Sequence, residues 1–208
     1  MDGTLVDTEP YWLVAEVELV ASFGGVWTHE DGMQLVGSGL WHSARVFQAR
    51  GVDLSEDEIV ERLTTRVLEQ VAGEVPWRSG ARELLTELVE LGVPTALVTM
   101  STRRMADTIA ASIGFEGFAA VVGGDDVEHS KPHPQPYLLG AEALGVSAAD
   151  CVALEDSPPG VASAVAAGAV TIAVPLHISL AEHSDYDIRD MSGLTAAAVF
   201  DIYTARRS

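Results

Sequence analysis

Short apolar segments alternate with helical patterns along the chain from Pro76 onward. The predicted strands cover residues 94–100, 119–123, 151–156 and 170–175, and the predicted helices cover residues 79–91, 102–113, 135–144 and 158–167. This alternation indicates an α/β fold with a doubly wound parallel sheet. Ligands of such sheets bind at the carboxyl ends of the strands, so the residues that follow each strand are the candidates for function.

The segment 11–75 carries apolar residues at helical spacing only. Its predicted helices are Tyr11–Phe23, Leu40–Arg50 and Ser55–Val71. Ser55 and Glu58 form a capping-box pattern at the start of the last helix. The sequence therefore predicts a core made of residues 1–10 plus 76–208, with an all-helical domain inserted between the two parts.

Two adjacent carboxylates, Glu155 and Asp156, end the predicted strand 151–156, and Ser157 and Pro158 begin a helix directly after them. A carboxylate at a buried strand end is costly unless a cation balances its charge. Oxygen ligands of this kind suit Mg²⁺, which binds through one or two carboxylates and keeps several waters. The alternative is an acidic first helical turn, which the helix dipole favours without any metal.

Three further polar side chains lie where a phosphate could bind. Thr99 ends the strand 94–100, and Ser101 opens the next helix, whose free amide groups favour phosphoryl oxygens. Lys131, followed by Pro132, is the only lysine of the chain. Its compact ammonium group suits a point contact with a phosphate or a carboxylate. The alternatives are an ordinary helix cap for Thr99 and Ser101 and a surface turn for Lys131.

The chain begins with Met1-Asp2-Gly3-Thr4 and has a further aspartate at Asp7. Residues two positions apart in a strand project to the same face, so a D-x-D pattern at a strand end would aim two carboxylates into one site. Only one of these carboxylates, Asp2, is present here. Gly3 lets the backbone turn away, and Thr4 can cap the turn or contact phosphate. The alternative is a solvated, frayed terminus.

Taken in order, these four segments resemble the four motifs of the haloacid dehalogenase superfamily of phosphohydrolases. The helical insertion directly after the first motif resembles the cap of the β-phosphoglucomutase-like branch. This resemblance implies a Rossmann-like core, a Mg²⁺ cofactor and hydrolysis of a small phosphate monoester through an aspartyl-phosphate intermediate. It implies Asp2, Thr99 and Lys131 as catalytic residues, Thr99, Ser101 and Lys131 as phosphate ligands, and Asp2, Glu155 and Asp156 as metal ligands.

The nucleophilic aspartate of that family would lie one residue before Met1, and its first core strand would precede it. We therefore expect the first strand to be truncated and the chain as written to be inactive. Methionine is common between the two aspartates of this motif in the branch, so we expect an internal methionine mistaken for the initiator. The alternative is a non-catalytic phosphate- or metal-binding protein, or a truncated pseudoenzyme.

A phosphosugar mutase of the β-phosphoglucomutase type is a further alternative. A mutase must bind both ends of a bisphosphate, and this branch does so with basic residues on a cap loop. The stretch 35–45 instead carries the apolar residues Val36 and Leu40 at the expected positions, which favours a phosphatase. The tryptophans can line the cleft between cap and core or belong to the hydrophobic core. They are Trp12, Trp27, Trp41 and Trp77.

The net charge of −19 excludes a nonspecific nucleic-acid binder and a protein that docks on anionic membranes. It also repels phosphate esters, so the site must invert the field locally, for which Lys131, Arg103 and Mg²⁺ are the candidates. The single cysteine, Cys151, permits no internal disulfide, which fits a reducing cytoplasm. We expect a cytoplasmic monomer or weak homodimer that acts on a small phosphorylated metabolite. We also expect a polar tail over residues 177–208, with Asp185, Asp187 and Asp190 in a surface loop.

Overall fold

The structure, a computed structural model, describes residues 1–180 and 186–208. The inserted domain contains four helices: α1 (Glu9–Ser22), α2 (His29–Met33), α3 (Leu40–Ala49) and α4 (Glu56–Val71). The capping box between Ser55 and Glu58 is confirmed at the start of α4. Helix α2 is an addition to the prediction; it has its own capping box between Thr28 and Asp31 but is too short for a periodic apolar pattern.

The core follows the predicted alternation of strands and helices. Its helices are α5 (Ala81–Glu90), α6 (Arg103–Ser112), α7 (Gln135–Ala143), α8 (Pro158–Ala166) and α9 (Ala196–Arg207), and a short 3₁₀ helix spans Ala148–Asp150. Its strands are β1 (Ala96–Val98), β2 (Ala120–Val122), β3 (Val152–Glu155), β4 (Val170–Ala173) and β5 (Tyr186–Ile188). All described strand pairs are parallel, as the α/β prediction requires.

The strands form two separate groups, β1 with β2 and β3 with β4 and β5. The segment that begins at Met1 lies between the carboxyl ends of these groups. Thr4 Oγ1 donates a hydrogen bond to Asp156 Oδ1 after β3 (2.8 Å), and Ser101 Oγ after β1 donates one to Asp2 Oδ2 (2.7 Å). Residues 1–8 form only isolated bridges and turns, so the described core has no strand between β1 and β3.

The polar tail 177–208 contains a strand and a helix that the sequence did not predict, and Asp187 lies in the strand instead of a surface loop. Strand β5 extends the sheet beside β4, and α9 packs against α5. Helix α9 buries Ala196, Val199 and Ile202 in the same cluster as Ile172 of β4. Residues 181–185 of this segment lie outside the described residues. Among the helices that the structure describes, none is both long and apolar enough to cross a membrane.

Arg78 fixes the first loop of the chain against the sheet. Its buried guanidinium donates hydrogen bonds from Nη1 to the carbonyl oxygens of Gly3 (2.5 Å) and Val174 (2.7 Å), and from Nη2 to that of Pro175 (3.2 Å). Gly3 has a φ of +67°, and a Cβ at this position would lie 2.0 Å from Asp156 Oδ2. The first loop can therefore approach the end of β3 only with glycine at this position.

We predict that Arg78→Met lowers the free energy of unfolding by about 3 kcal/mol, because it leaves three buried carbonyl oxygens without their charged donor. Urea denaturation followed by circular dichroism measures this change. Arg62→Met is the matched control: Arg62 is exposed and makes one hydrogen bond, to Ser22 Oγ, so its loss should cost less than about 0.5 kcal/mol. Equal stability of the two variants would contradict this role of Arg78.

Candidate active site

A cavity of about 90 Å³ lies between the helical cap and the carboxyl ends of β1 and β3. The six residues that sequence analysis selected all line it, and they are Asp2, Thr99, Ser101, Lys131, Glu155 and Asp156. These residues come from four segments: the loop at the start of the chain, the ends of β1 and β3, and the segment before α7. The parallel arrangement of the strands brings them together although they are up to 154 positions apart, the difference between 156 and 2.

Asp2 is held by hydrogen bonds to both of its carboxylate oxygens. Oδ1 accepts from Thr8 Oγ1 (2.5 Å) and from Trp12 Nε1 (3.3 Å). Oδ2 accepts from Ser101 Oγ (2.7 Å) and from Thr99 Oγ1 (3.4 Å). Thr8 directly precedes α1 and Trp12 lies within it, whereas the other two donors follow β1, so this one side chain joins the first helix of the cap to the core.

Lys131 is buried and bridges the two groups of strands. Its Nζ donates to the carbonyl oxygen of Val98 at the end of β1 (3.2 Å) and to Glu155 Oε1 at the end of β3 (2.5 Å). It also lies 5.0 Å from the ring centroid of Tyr137, whose hydroxyl donates to the same oxygen of Glu155 (2.5 Å). The predicted alternative of a surface lysine in a turn is therefore wrong.

The environment shifts the pKa values of this group in opposite directions. Burial raises the pKa of Glu155, but the Lys131 ammonium, the amino terminus and the hydrogen bonds from Lys131 and Tyr137 together outweigh burial and hold that pKa below its usual value. Burial, followed by the charge of Glu155, raises the pKa of the Tyr137 hydroxyl. The carboxylate of Glu155 is thus ionised and faces Lys131 and Tyr137, while its Oε2 lies against Gly160, where a Cβ would be only 1.9 Å away.

Asp156 has no ion pair with a cationic side chain among the described residues. Burial, followed by the charge of Glu155, raises the pKa of Asp156 to about 6, against the charge of the amino terminus, the hydrogen bond from Thr4 and the charge of Lys131. An ionised carboxylate in this position needs a positive partner. The main-chain oxygen of Asp2 belongs to the loop that carries Thr4, the residue that donates to Asp156. The part of the chain that the structure describes gathers no cluster of three or more His, Cys, Asp or Glu side chains for a metal. This donor set fits Mg²⁺, which needs only one or two carboxylates beside water and phosphate oxygens.

Thr99 and Ser101 form a polar shelf next to Asp2. Both are buried, and the main-chain amide of Ser101 donates to Thr99 Oγ1 (3.2 Å). Arg103, which the sequence suggested as a local source of positive charge, does not line the cavity. Its guanidinium is half-exposed and pairs with Asp107 (2.9 Å) and Asp126 (3.6 Å), so this suggestion was wrong.

The cap contributes residues that sequence analysis did not select. Glu9 and Glu16 of α1 line the cavity, and their seven-residue spacing places them on one face of the helix. Burial, followed by the charges of Asp2 and Glu16, raises the pKa of Glu9 to about 8, and burial raises the pKa of Glu16 to about 7. The sequence did contain a signal for these two residues, because their helical spacing places two carboxylates on a helix face that is otherwise apolar.

The apolar stretch of the cap lies where the sequence placed it. Val36 and Leu40 both line the cavity, and Lys131 is the only cationic side chain among the described lining residues. Of the tryptophans, Trp12 lines the cavity, while Trp27 packs against Phe47 with ring centroids 4.7 Å apart. The cap therefore lines the described cavity with carboxyl, hydroxyl and apolar groups and with no cationic side chain.

Comparison with known proteins identifies the family. Residues 1–168 match the family model described as haloacid dehalogenase-like hydrolase. The chain is a haloacid dehalogenase-like hydrolase. Hexitol phosphatase B of Escherichia coli strain K12 is 32% identical over 183 residues, which cover 84% of this chain and 81% of that protein.

Two solved structures show the same fold. CbbY from Rhodobacter sphaeroides, in complex with phosphate, superposes with a TM-score of 0.86 at 26% identity and covers 96% of each chain. β-Phosphoglucomutase from Clostridium difficile superposes with a TM-score of 0.87 at 18% identity, covering 99% of this chain and 95% of that one. The resemblance to the β-phosphoglucomutase-like branch of the family is thereby confirmed.

We predict that Lys131→Met destabilises this hydrolase by about 3–5 kcal/mol, because it leaves the buried carboxylate of Glu155 without a cation. The double variant Lys131→Met/Glu155→Gln should regain more than half of that loss, since it removes the uncompensated charge as well. Urea denaturation at neutral pH compares the three proteins. A double variant that is less stable than the single variant would contradict this assignment.

Glu16 gives the stability a pH dependence. Its native pKa of about 7 exceeds the unfolded value of 4.5, so the native state binds more protons between these values and stability falls as the pH rises from about 4.5 to about 7. We predict that Glu16→Gln, which keeps an oxygen for Trp27, matches the parent chain at pH 4.5 and exceeds it by about 2–3 kcal/mol at pH 8. Denaturation curves across this range measure the difference; a difference that is constant with pH would exclude the titration of Glu16.

Proposed function

We propose that this chain provides the site of a Mg²⁺-dependent phosphatase that hydrolyses the phosphate monoester of a small metabolite. The observation that carries the proposal is the convergence of Asp2, Lys131 and Asp156 on one cavity with the hydroxyl groups of Thr99 and Ser101. A held carboxyl group, a cation and hydroxyl donors are the parts that phosphoryl transfer needs. The small volume of the cavity favours a small substrate.

The nucleophile in this proposal is an aspartate directly before Met1. Asp2 could itself attack phosphorus only if another group served as the acid and base. Thr4 would then stand at the acid/base position, and a hydroxyl cannot protonate a leaving alkoxide at neutral pH. Thr4 is moreover engaged with Asp156. An aspartate at the preceding position would enter the space between the ends of β1 and β3, beside Lys131.

In the first step, an oxygen of that aspartate forms a bond to phosphorus, and the bond from phosphorus to the ester oxygen breaks. Asp2, protonated at this stage, gives its proton to the leaving oxygen. In the second step, Asp2 accepts a proton from a water molecule whose oxygen attacks phosphorus, and phosphate and the free aspartate are released. Lys131, Thr99 and Ser101 hold the phosphoryl oxygens throughout.

Asp156 and the main-chain oxygen of Asp2 would hold Mg²⁺, which neutralises charge on the phosphoryl group. The resemblance also implies Glu155 as a metal ligand; its contact of 2.5 Å with Lys131 gives it a second role in the proposal, which is to keep Lys131 in place. The functional division into a core of residues 1–10 plus 76–208 and a cap of residues 11–75 belongs to the same proposal, because the cap covers the cavity that the core builds.

A phosphatase is favoured over a mutase by a sequence relative and by the lining of the cap, although one solved neighbour is a β-phosphoglucomutase. One curated relative is a hexitol phosphatase, and one solved neighbour was crystallised with phosphate. A mutase must hold a second phosphate, and the cap side of the described cavity presents Glu9, Glu16, Val36 and Leu40 instead of a cation. The alternative of a non-catalytic phosphate or metal binder shares the same ligands and is separated from the enzyme only by turnover.

We predict that a protein extended by an apolar strand ending in aspartate directly before Met1 hydrolyses phosphate monoesters in the presence of Mg²⁺ and loses this activity with a chelator. In that protein, Asp2→Asn should lower kcat about 10²–10⁴-fold, because it removes the general acid and base. Asp156→Asn should abolish the response to Mg²⁺. Release of inorganic phosphate from a panel of monoesters provides the measurement.

Asp107→Asn serves as the control, because Asp107 is exposed and bonded to Arg103 outside the cavity. It should retain the activity of the extended protein within about twofold. Absence of activity in the folded, extended protein on every ester of the panel would reject the enzyme and leave a binding function. Full activity of Asp2→Asn would reject the proposed acid and base.

A further inference from the structure

Glu16 is a buried carboxyl group on the cap side of the cavity that the proposed mechanism does not use. Its side chain lies on α1, and the residue is only 8% exposed. Trp27 Nε1 donates a hydrogen bond to Oε2 (2.9 Å), and a Cβ built on Gly32 would lie 3.0 Å from the same oxygen. Trp27 and Gly32 therefore enclose Oε2 from the side of α2.

The second oxygen of Glu16 remains open. Oε1 makes no hydrogen bond within residues 1–180 and 186–208. If Oε1 were fully buried, it would be a buried polar atom without a partner, but Thr64 Oγ1 is the only such side-chain atom in that part of the chain. Oε1 is consequently accessible, and Glu16 is one of the residues that line the cavity. One oxygen fixed by an indole and the other facing the cavity make a preformed hydrogen-bonding group.

The surroundings indicate what this group can bind. The pKa of Glu16 is raised to about 7 by burial, so near neutral pH the carboxyl group can both donate and accept hydrogen bonds. Glu9, two helical turns earlier, adds a second carboxyl, and the cap walls between them include the apolar Leu35, Leu40 and Leu63. Apolar walls with interspersed carboxyl groups match the C–H and hydroxyl groups of a polyol chain, and they offer nothing to an anionic leaving group.

We propose that Glu16, oriented by Trp27, is a specificity-determining residue that selects a polyhydroxylated, uncharged leaving group by hydrogen bonds to its hydroxyls. The proposal rests on the proposed function, since it assigns the leaving group of that same site. It concerns binding alone, however, so it can be tested without turnover. A buried polar group of this kind also discriminates against ligands that lack hydroxyls, because they leave it unpaired.

Isothermal titration calorimetry of the present chain with Mg²⁺ tests this proposal with four ligands: inorganic phosphate, glucitol 6-phosphate, n-hexyl phosphate and ethanolamine phosphate. We expect all four ligands to bind, because each of them carries phosphate. Glucitol 6-phosphate should bind at least about tenfold more tightly than n-hexyl phosphate. The two esters have the same chain length and differ in their hydroxyl groups, so the ratio reports those groups.

Two substitutions separate hydrogen bonding from structure. Glu16→Gln keeps an acceptor for Trp27 and a donor for the cavity, so the preference for glucitol 6-phosphate should stay within about threefold of the parent chain. Glu16→Leu removes both, so the preference should disappear while the affinity for inorganic phosphate is unchanged. Circular dichroism and thermal melting confirm that both variants are folded.

The outcomes distinguish failure of this inference from failure of the proposed function. If no ligand binds, including inorganic phosphate, the phosphate site itself is rejected. If phosphate binds but glucitol 6-phosphate has no advantage over n-hexyl phosphate, the role of Glu16 is overturned and the phosphatase proposal stands. Tighter binding of ethanolamine phosphate than of glucitol 6-phosphate also overturns this role. So does a Glu16→Leu variant whose affinity for inorganic phosphate falls as much as its affinity for glucitol 6-phosphate.

Discussion

The contact between Lys131 and Glu155 is the interaction on which the core and the site both depend. The chain's strands fall into two groups, and the ammonium group of Lys131 connects the end of β1 to the end of β3 through Val98 and Glu155. The same contact stabilises an ionised carboxylate in a buried position and leaves a cation beside the polar shelf of Thr99 and Ser101. In a chain of net charge −19, a single buried lysine thus supplies the positive charge of the proposed phosphate site.

The site also limits its own negative charge. Glu9 and Glu16 line one cavity, and burial raises the pKa of both of them. Protonation of these two groups near neutral pH removes charge from the proposed phosphate site, so the repulsion expected from the composition is weaker there than at the surface. The proposed site therefore counters the charge of the chain by two means, a retained cation and suppressed anions, of which the sequence suggested only the first.

Much of the fold was predictable because local chemistry determines it. The predicted elements of the core and cap agree with the observed ones within about two residues at most ends, where caps such as Ser55 or a glycine fix the boundary. Helix α9 was missed because its alanine-rich sequence has little polar-to-apolar contrast, although it buries Val199 and Ile202. Strand β5 was missed because its three residues are too few to show a pattern, and the strand is defined by its pairing with β4.

The core half of the site was predictable for a different reason. In a parallel sheet the polar residues after each strand must share one edge, so Thr99, Lys131 and Asp156 could be grouped before any distance was known. The cap half could not be grouped in this way. Glu16 lies within a helix whose apolar face explains its periodicity, and its role depends on Trp27, which reaches it from another segment of the cap.

Helix α1 combines two tasks that are usually assigned to different parts of such a molecule. Its N-cap residue Thr8 and its own Trp12 both donate to Asp2, so the start of the helix fixes the carboxylate of the core, while Glu9 and Glu16 of the same helix line the cavity. The cap is therefore not an independent module. A chimaera that exchanges caps between relatives would keep the contacts of Asp2 only if the junction falls after Trp12, and exchange of the helix beyond that point would replace Glu16 without disturbing Asp2.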